Sequence, residues 1–132
     1  MERMKVLLVE PMEAPRLVEI DHCLEAMQEL VGGTISCTYP WDDLVGLICA
    51  DDAVALGYPL NRALTDDDGK VYDIVPGTFF LCGLTEDSFT DIPEDLAGKY
   101  KELFRFPELY MRTLSGRMLR FRIGSGSPPE EL

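Results

Sequence analysis

The chain is poor in the residues from which most enzyme sites are built. It contains one histidine, His22, and one tryptophan, Trp41, among 132 residues. A single histidine removes most layouts in which imidazoles hold zinc. His22 falls at the expected start of a helix, where the positive end of the helix and the lack of a neighbouring acid–base partner make it a poor general base, so it reads as a plain surface histidine. Cys23, Cys37, Cys49 and Cys82 form no C-x-x-C pair, which argues against a zinc site and against a thioredoxin-like redox pair. Each sits in an apolar run and reads as a buried reduced thiol, with a Cys37–Cys49 disulfide left to geometry. There is no G-x-G-x-x-G and no G-x-x-x-x-G-K-[ST] phosphate loop. No apolar run approaches the ~18 residues of a membrane-spanning helix. Near the N-terminus only Val6–Val9 is apolar before Glu10 and Pro11, too short for a signal-peptide core, so a cytoplasmic location is expected.

Positive charge is scarce and unevenly placed. Residues 1–98 carry 20 acidic and 5 basic side chains, net −15, whereas residues 99–132 carry 4 and 7, net +3, for a total of −12. An acidic body argues against nucleic-acid binding by that body, because such binding is driven by Lys and Arg displacing counterions from phosphates.

The length suits one domain, expected over residues 1–123, with a flexible Gly-Ser-Pro tail at 124–132. Lys5–Glu10 is apolar on both phases and reads as a central strand, with Arg16–Ile20 as its hairpin partner. Asp21 is placed to cap a helix bearing Cys23, Leu24, Met27, Leu30 and Val31 on one face and ending at Gly32-Gly33. Thr34–Tyr39, Leu44–Ala50, Val71–Val75 and Thr78–Leu84 read as strands, and Ala53–Leu56 as a hairpin return. Asp91 and Glu94 fit a capping box for a second helix, ended by Pro107. Met118–Ile123 alternates as a last strand with a basic face at Arg120 and Arg122. The expectation is an α+β fold: a single, mostly antiparallel sheet of six or seven strands with two helices packed on one face.

Three residues stand out as ligand or partner contacts: Asn61, Arg62 and Trp41. Arg62 is one of the few cations of the acidic body. It could anchor an anionic partner, or fork onto a carboxylate of the Asp66-Asp67-Asp68-Gly69 turn. Trp41, beside Pro40, would mark a contact surface if exposed and a core residue if buried. The Asp66–Asp68 turn lacks the ligand spacing of an EF-hand and reads as a solvated hairpin turn. Were it to gather with Asp42-Asp43 and Asp51-Asp52 at one end of the sheet, a cation site would result. No catalytic residue, metal ligand or cofactor is expected.

Several stretches together resemble a bacterial family catalogued as a domain of unknown function. They are Lys5–Pro11, Pro15–Asp21, Leu24–Gly33, Pro59-Leu-Asn-Arg-Ala-Leu64, Asp68-Gly69, Tyr72–Phe80 and Gly83-Leu84, with weaker likeness to about Tyr110. Small proteins of that family occur in gut Gram-positive bacteria, phages and conjugative elements. The resemblance implies an accessory protein of mobile elements, some of which are encoded near anti-restriction factors; it implies no activity. From the missing catalytic set and the split charge, the expected function is a non-enzymatic binding or regulatory module with a protein partner, a homodimer being left open. One alternative is an acidic nucleic-acid mimic with an anti-restriction role. Another is a small enzyme with a carboxylate-based site, which requires a cleft lined by Asp or Glu together with Arg62. Direct DNA binding through Arg117, Arg120 and Arg122 is the least favoured.

Overall fold

In the computed structural model, which describes residues 2–132, the chain runs β1 (Arg3–Val9), β2 (Arg16–Asp21), α1 (Leu24–Val31), β3 (Ile35–Thr38), β4 (Val45–Ala50), β5 (Leu60–Thr65), β6 (Val71–Pro76), β7 (Phe79–Leu84), β8 (Phe89–Thr90), α2 (Glu94–Leu103), β9 (Glu108–Arg112), β10 (Met118–Arg122) and β11 (Glu130–Glu131). The main sheet has six strands in the order β2-β1-β7-β4-β3, with β8 added to β7, and every pairing is antiparallel. The α+β class and the β1–β2 hairpin follow the sequence reading. The single sheet does not, because β5–β6 and β9–β10–β11 form two smaller sheets of their own. Among the described residues no helix is long and apolar enough to cross a membrane.

The two helices do not share a face, which corrects a second expectation. Met4, Val6 and Leu8 pack with Met27 and Val31 of α1, together with Ile48, Phe80 and Cys82. Leu7 and Val9 point the other way, onto Leu47, Phe79, Leu81, Leu64 of β5, Val75 of β6, and Ala97 and Tyr100 of α2. The cause is the composition of β1, β4 and β7. A strand apolar on both phases exposes a large side chain to water on whichever side is uncovered, and each such burial is worth roughly 1.5–3 kcal/mol. Two covers are needed, α1 on one side and α2 with β5–β6 on the other.

Helix α1 ends as its Gly-Gly pair predicts. Gly32 has φ 78°, and its N–H bonds to the Gln28 carbonyl. A Cβ there would also stand 2.8 Å from the Tyr58 hydroxyl, which donates to the Gly32 carbonyl, so both backbone and space require glycine. The expected caps are corrected. Asp21 lies in β2 opposite Arg3, and Cys23 occupies the N-cap of α1 without a side-chain bond. Asp91 caps nothing: its Oδ1 accepts from the Lys5 N–H at 2.8 Å, while the Ile92 N–H donates to the Lys5 carbonyl at 3.0 Å. Strand β7 pairs only with Leu7–Val9 of β1. Asp91 and Ile92 satisfy backbone groups beyond that pairing, and this outweighs a helix cap. Ala53–Leu56 is a run of turns rather than a strand. Cys37 and Cys49 lie against opposite core clusters, so no disulfide joins them, and all four cysteines are free. Burial pushes the Cys82 thiol up to about 12, leaving it an inert apolar side chain. The segment expected as a tail carries β11, paired with β10.

Candidate interaction site

Asn61 and Arg62 are both fully buried, with 0% exposure. A register shift between Leu60 and Arg62 marks an irregularity in β5 at Asn61, and both side chains lie in the core rather than alternating in and out. Asn61 Nδ2 donates to the carbonyls of Val9 and Gly77 at 2.9 and 2.8 Å. Arg62 donates from Nε to Phe104 O at 3.1 Å, from Nη1 to Asn61 Oδ1 at 2.8 Å and from Nη2 to Glu13 O at 2.6 Å. The expected fork onto the Asp66–Asp68 turn is not made. Asp66 instead accepts from the backbone of Asp68 and Lys70 and closes its own turn. Burial pulls the Arg62 guanidinium below its ordinary pKa, with the charge of Glu108 acting against that pull. Arg62 thus holds the β1–β2 turn, the C-terminal end of α2 and β5 to one another, and its side chain is closed off from solvent.

Trp41 is half-buried, its ring 4.3 Å from that of Tyr100 and 5.9 Å from that of Phe104. Two clefts meet at Trp41 and Thr65. One, of about 300 Å³, is lined by Ala63, Leu103, Glu108, Arg120, Arg122 and Glu130. The other, of about 480 Å³, is bordered by Asp42, Asp43, Asp66, Asp67, Tyr72 and Lys99. Asp43 Oδ2 accepts from Lys99 Nζ at 2.7 Å and from the Tyr100 hydroxyl at 2.6 Å. The Lys99 bond first, and then that of Tyr100, holds the Asp43 carboxyl below its ordinary range. Tyr100 is pushed the opposite way, by burial and then by the Asp43 bond. Of the three residues singled out in the sequence, only Trp41 is at the surface. Arg62 reaches it indirectly, by fixing the carbonyl of Phe104, whose ring packs against Trp41. The acidic turns gather only in part: Asp42-Asp43 and Asp66-Asp67 border one cleft, while Asp51 lines another between β3 and β6. Among the described residues no three His, Cys, Asp or Glu side chains are grouped to hold a metal ion.

The C-terminal sheet is inverted relative to its sequence reading. In the β9–β10 register Arg120 lies opposite Tyr110, and Leu119 opposite Met111. The charged side turns inward. Arg120 grips Glu108 through Nε at 3.1 Å and Nη2 at 2.8 Å, and donates from Nη1 to Glu130 at 2.9 Å. Glu108 also accepts from the Ala63 backbone N–H at 2.8 Å and from the Tyr110 hydroxyl. Burial works against the Arg120 charge, yet the Glu108 hydrogen bond and charge hold its pKa above the ordinary value. Burial and then the Glu108 bond push the Tyr110 phenol up, so it remains a donor. Arg120 is buried and Arg122 is partly covered, 5.4 Å over the Phe106 ring, while Arg117 is exposed on the opposite side of the sheet and pairs with Glu131 at 3.0 Å, so the three arginines do not form one basic face.

The opposite side of this sheet faces out. It carries Leu109, Met111 and Ile123, which are 45%, 52% and 41% exposed, beside the partly covered Leu119 and Phe121. Glu108, Tyr110 and the outward Leu109 and Met111 were missed in the sequence. Their signal was the alternation of Glu108-Leu-Tyr-Met-Arg112, which separates two faces without saying which one meets the body.

Residues 4–105 match the domain of unknown function DUF3846, a span from β1 to just past the end of α2. The match covers well over half of the chain, and the chain belongs to that family. Residues 106–132, which hold β9, β10 and β11, lie outside it. No curated protein and no solved structure matches the chain.

Proposed function

We propose that this protein is a non-enzymatic binding module that serves mobile elements as an accessory factor and docks another polypeptide through its C-terminal sheet. The observation that carries the reading is the inversion of that sheet. An amphipathic sheet packed on a body normally turns its apolar side inward. Here a buried Glu108–Arg120 pair takes the inner side, and Leu109, Met111 and Ile123 are left toward solvent. A contiguous apolar patch is a mark of a protein contact, whereas scattered exposed leucines are not. The mobile-element setting rests on the family resemblance.

The test is a photo-crosslinking amino acid placed at Met111, with Glu25 on the exposed side of α1 as the control position. Adducts to other polypeptide chains should form several-fold more from position 111 than from position 25. Equal yields at the two positions would overturn the reading.

A second reading, an acidic nucleic-acid mimic, is favoured by the four aspartates around Trp41, namely Asp42, Asp43, Asp66 and Asp67. Lys99 already pairs with one of them, Asp43, which weakens the imitation of a phosphate row. Inhibition of a restriction nuclease by the protein, lost when Asp42, Asp66 and Asp67 become asparagine, would support it. Absence of inhibition at excess protein would dispose of it.

A further inference from the structure

We infer that the occupant of the outward face of β9–β11 is a second copy of this chain, joined by a two-fold contact of sheet on sheet. This rests on the reading of that face as the docking surface. Two observations select the occupant, and a third bounds the strength of the contact.

The first is where charge lies. The body carries net −15 over residues 1–98, and two such bodies repel one another. Residues 106–132, which hold the C-terminal sheet, carry four basic and three acidic side chains, net +1, so two copies that meet there join the part of the chain with least charge to repel.

The second is the makeup of the face. A two-fold contact brings the same patch together from both sides, so a patch ringed by one sign of charge opposes itself. The charged groups on this side of β10 and β11 are Arg117 and Glu131, one of each sign, 3.0 Å apart. They leave the patch neutral and allow each copy's cation to meet the other's anion. The centre is Leu109, Met111, Leu119, Phe121 and Ile123. These side chains can interdigitate with their own copies as in other face-to-face sheets, which pack about 10 Å apart.

The third is size. Strands spaced about 4.8 Å apart, with five residues rising about 3.3 Å each, give a face of roughly 15 by 17 Å. Leu114, fully exposed at the β9–β10 turn, widens it. That falls well short of the ~800 Å² per partner of a tight complex, so the contact is a weak and reversible one that needs a high protein concentration.

Sedimentation of the full chain from about 1 to about 300 µM tests this. The weight-average mass should climb from 14.8 kDa toward twice that value. Met111→Lys places a charge on the centre of the patch without touching a buried group, and should weaken association at least tenfold while leaving the thermal transition in place. Glu25→Lys, on α1, should associate at least as well as the unaltered chain. A chain that stays at 14.8 kDa throughout, or a Met111→Lys variant that associates as strongly as the parent, overturns the dimer. The two proposals fail separately. Adducts from position 111 made only to other proteins overturn the dimer and leave the docking surface intact, whereas equal adducts from positions 111 and 25 overturn the docking surface itself.

Discussion

Replacing Arg62 by methionine measures what a buried cation does when it has no carboxylate at hydrogen-bond distance. Methionine fills most of the apolar stem and removes the guanidinium. Three acceptors then lose their donor: the carbonyls of Phe104 and Glu13, and the side-chain oxygen of Asn61. The Phe104 carbonyl and the Asn61 oxygen are buried and cost about 1–3 kcal/mol each when orphaned, a gross loss of roughly 2–6 kcal/mol, whereas Glu13 is exposed and water can replace the donor there. Against it stands the relief of no longer burying a charge, which offsets part of the loss. The bonds win because three elements are tied at once, and we expect a net loss of about 1–3 kcal/mol. For a domain of this size that lowers the melting temperature by roughly 3–12 °C. Urea unfolding followed by circular dichroism gives the number directly, with the slope showing whether the transition stays cooperative. Arg62→Lys keeps the charge but loses the planar fork, and should be destabilised as much or more. An Arg62→Met variant within about 0.5 kcal/mol of the parent would show that desolvation cancels the bonds, and the clamp described here would be wrong.

Three other outcomes follow from the packing. Gly83→Ala should destabilise by about 1–3 kcal/mol, because the new methyl would stand 2.3 Å from the Asp91 carbonyl oxygen; an unchanged melting temperature would refute it. Asp43 titrates below its ordinary range in the folded protein, so its stabilising contribution is complete above about pH 4 and disappears as pH falls through the lower folded value. Asp43→Asn should therefore flatten the acid limb of melting temperature against pH, and an unaltered limb would contradict the Lys99 and Tyr100 bonds. Arg120→Met should cost about 3–5 kcal/mol by stranding buried Glu108, while adding Glu108→Gln should recover part of the loss. A double-mutant cycle with no coupling would show that the pair does not join β9–β10 to β5.

Much of the local structure was legible because it depends on local chemistry. The two-phase apolar pattern of Val6–Val9 and the Gly32 stop each follow from side chains within a few residues, whereas α2 ends at Leu103, ahead of the Pro107 expected to stop it. The candidate site was legible only in part. Trp41 is at the surface where two clefts meet, but Asn61 and Arg62 support it from within the core. A polar pair inside an apolar strand looks the same in sequence whether its donors meet a ligand or carbonyls 16 to 52 residues away.

By itself the sequence determined the α+β class, the acidic body with its basic end, and which residues of each strand share a side, since these depend on composition and on the two-residue period of a strand. Only the tertiary structure decided which side faces inward, that α1 and α2 cover opposite sides of the sheet, and that Asp91 serves β1 instead of its own helix. Alternation defines two faces and leaves their assignment to whatever packs against them. In β9–β10 the Ala63 N–H and the Glu108–Arg120 pair claimed the inner face, and the apolar side chains were left outward.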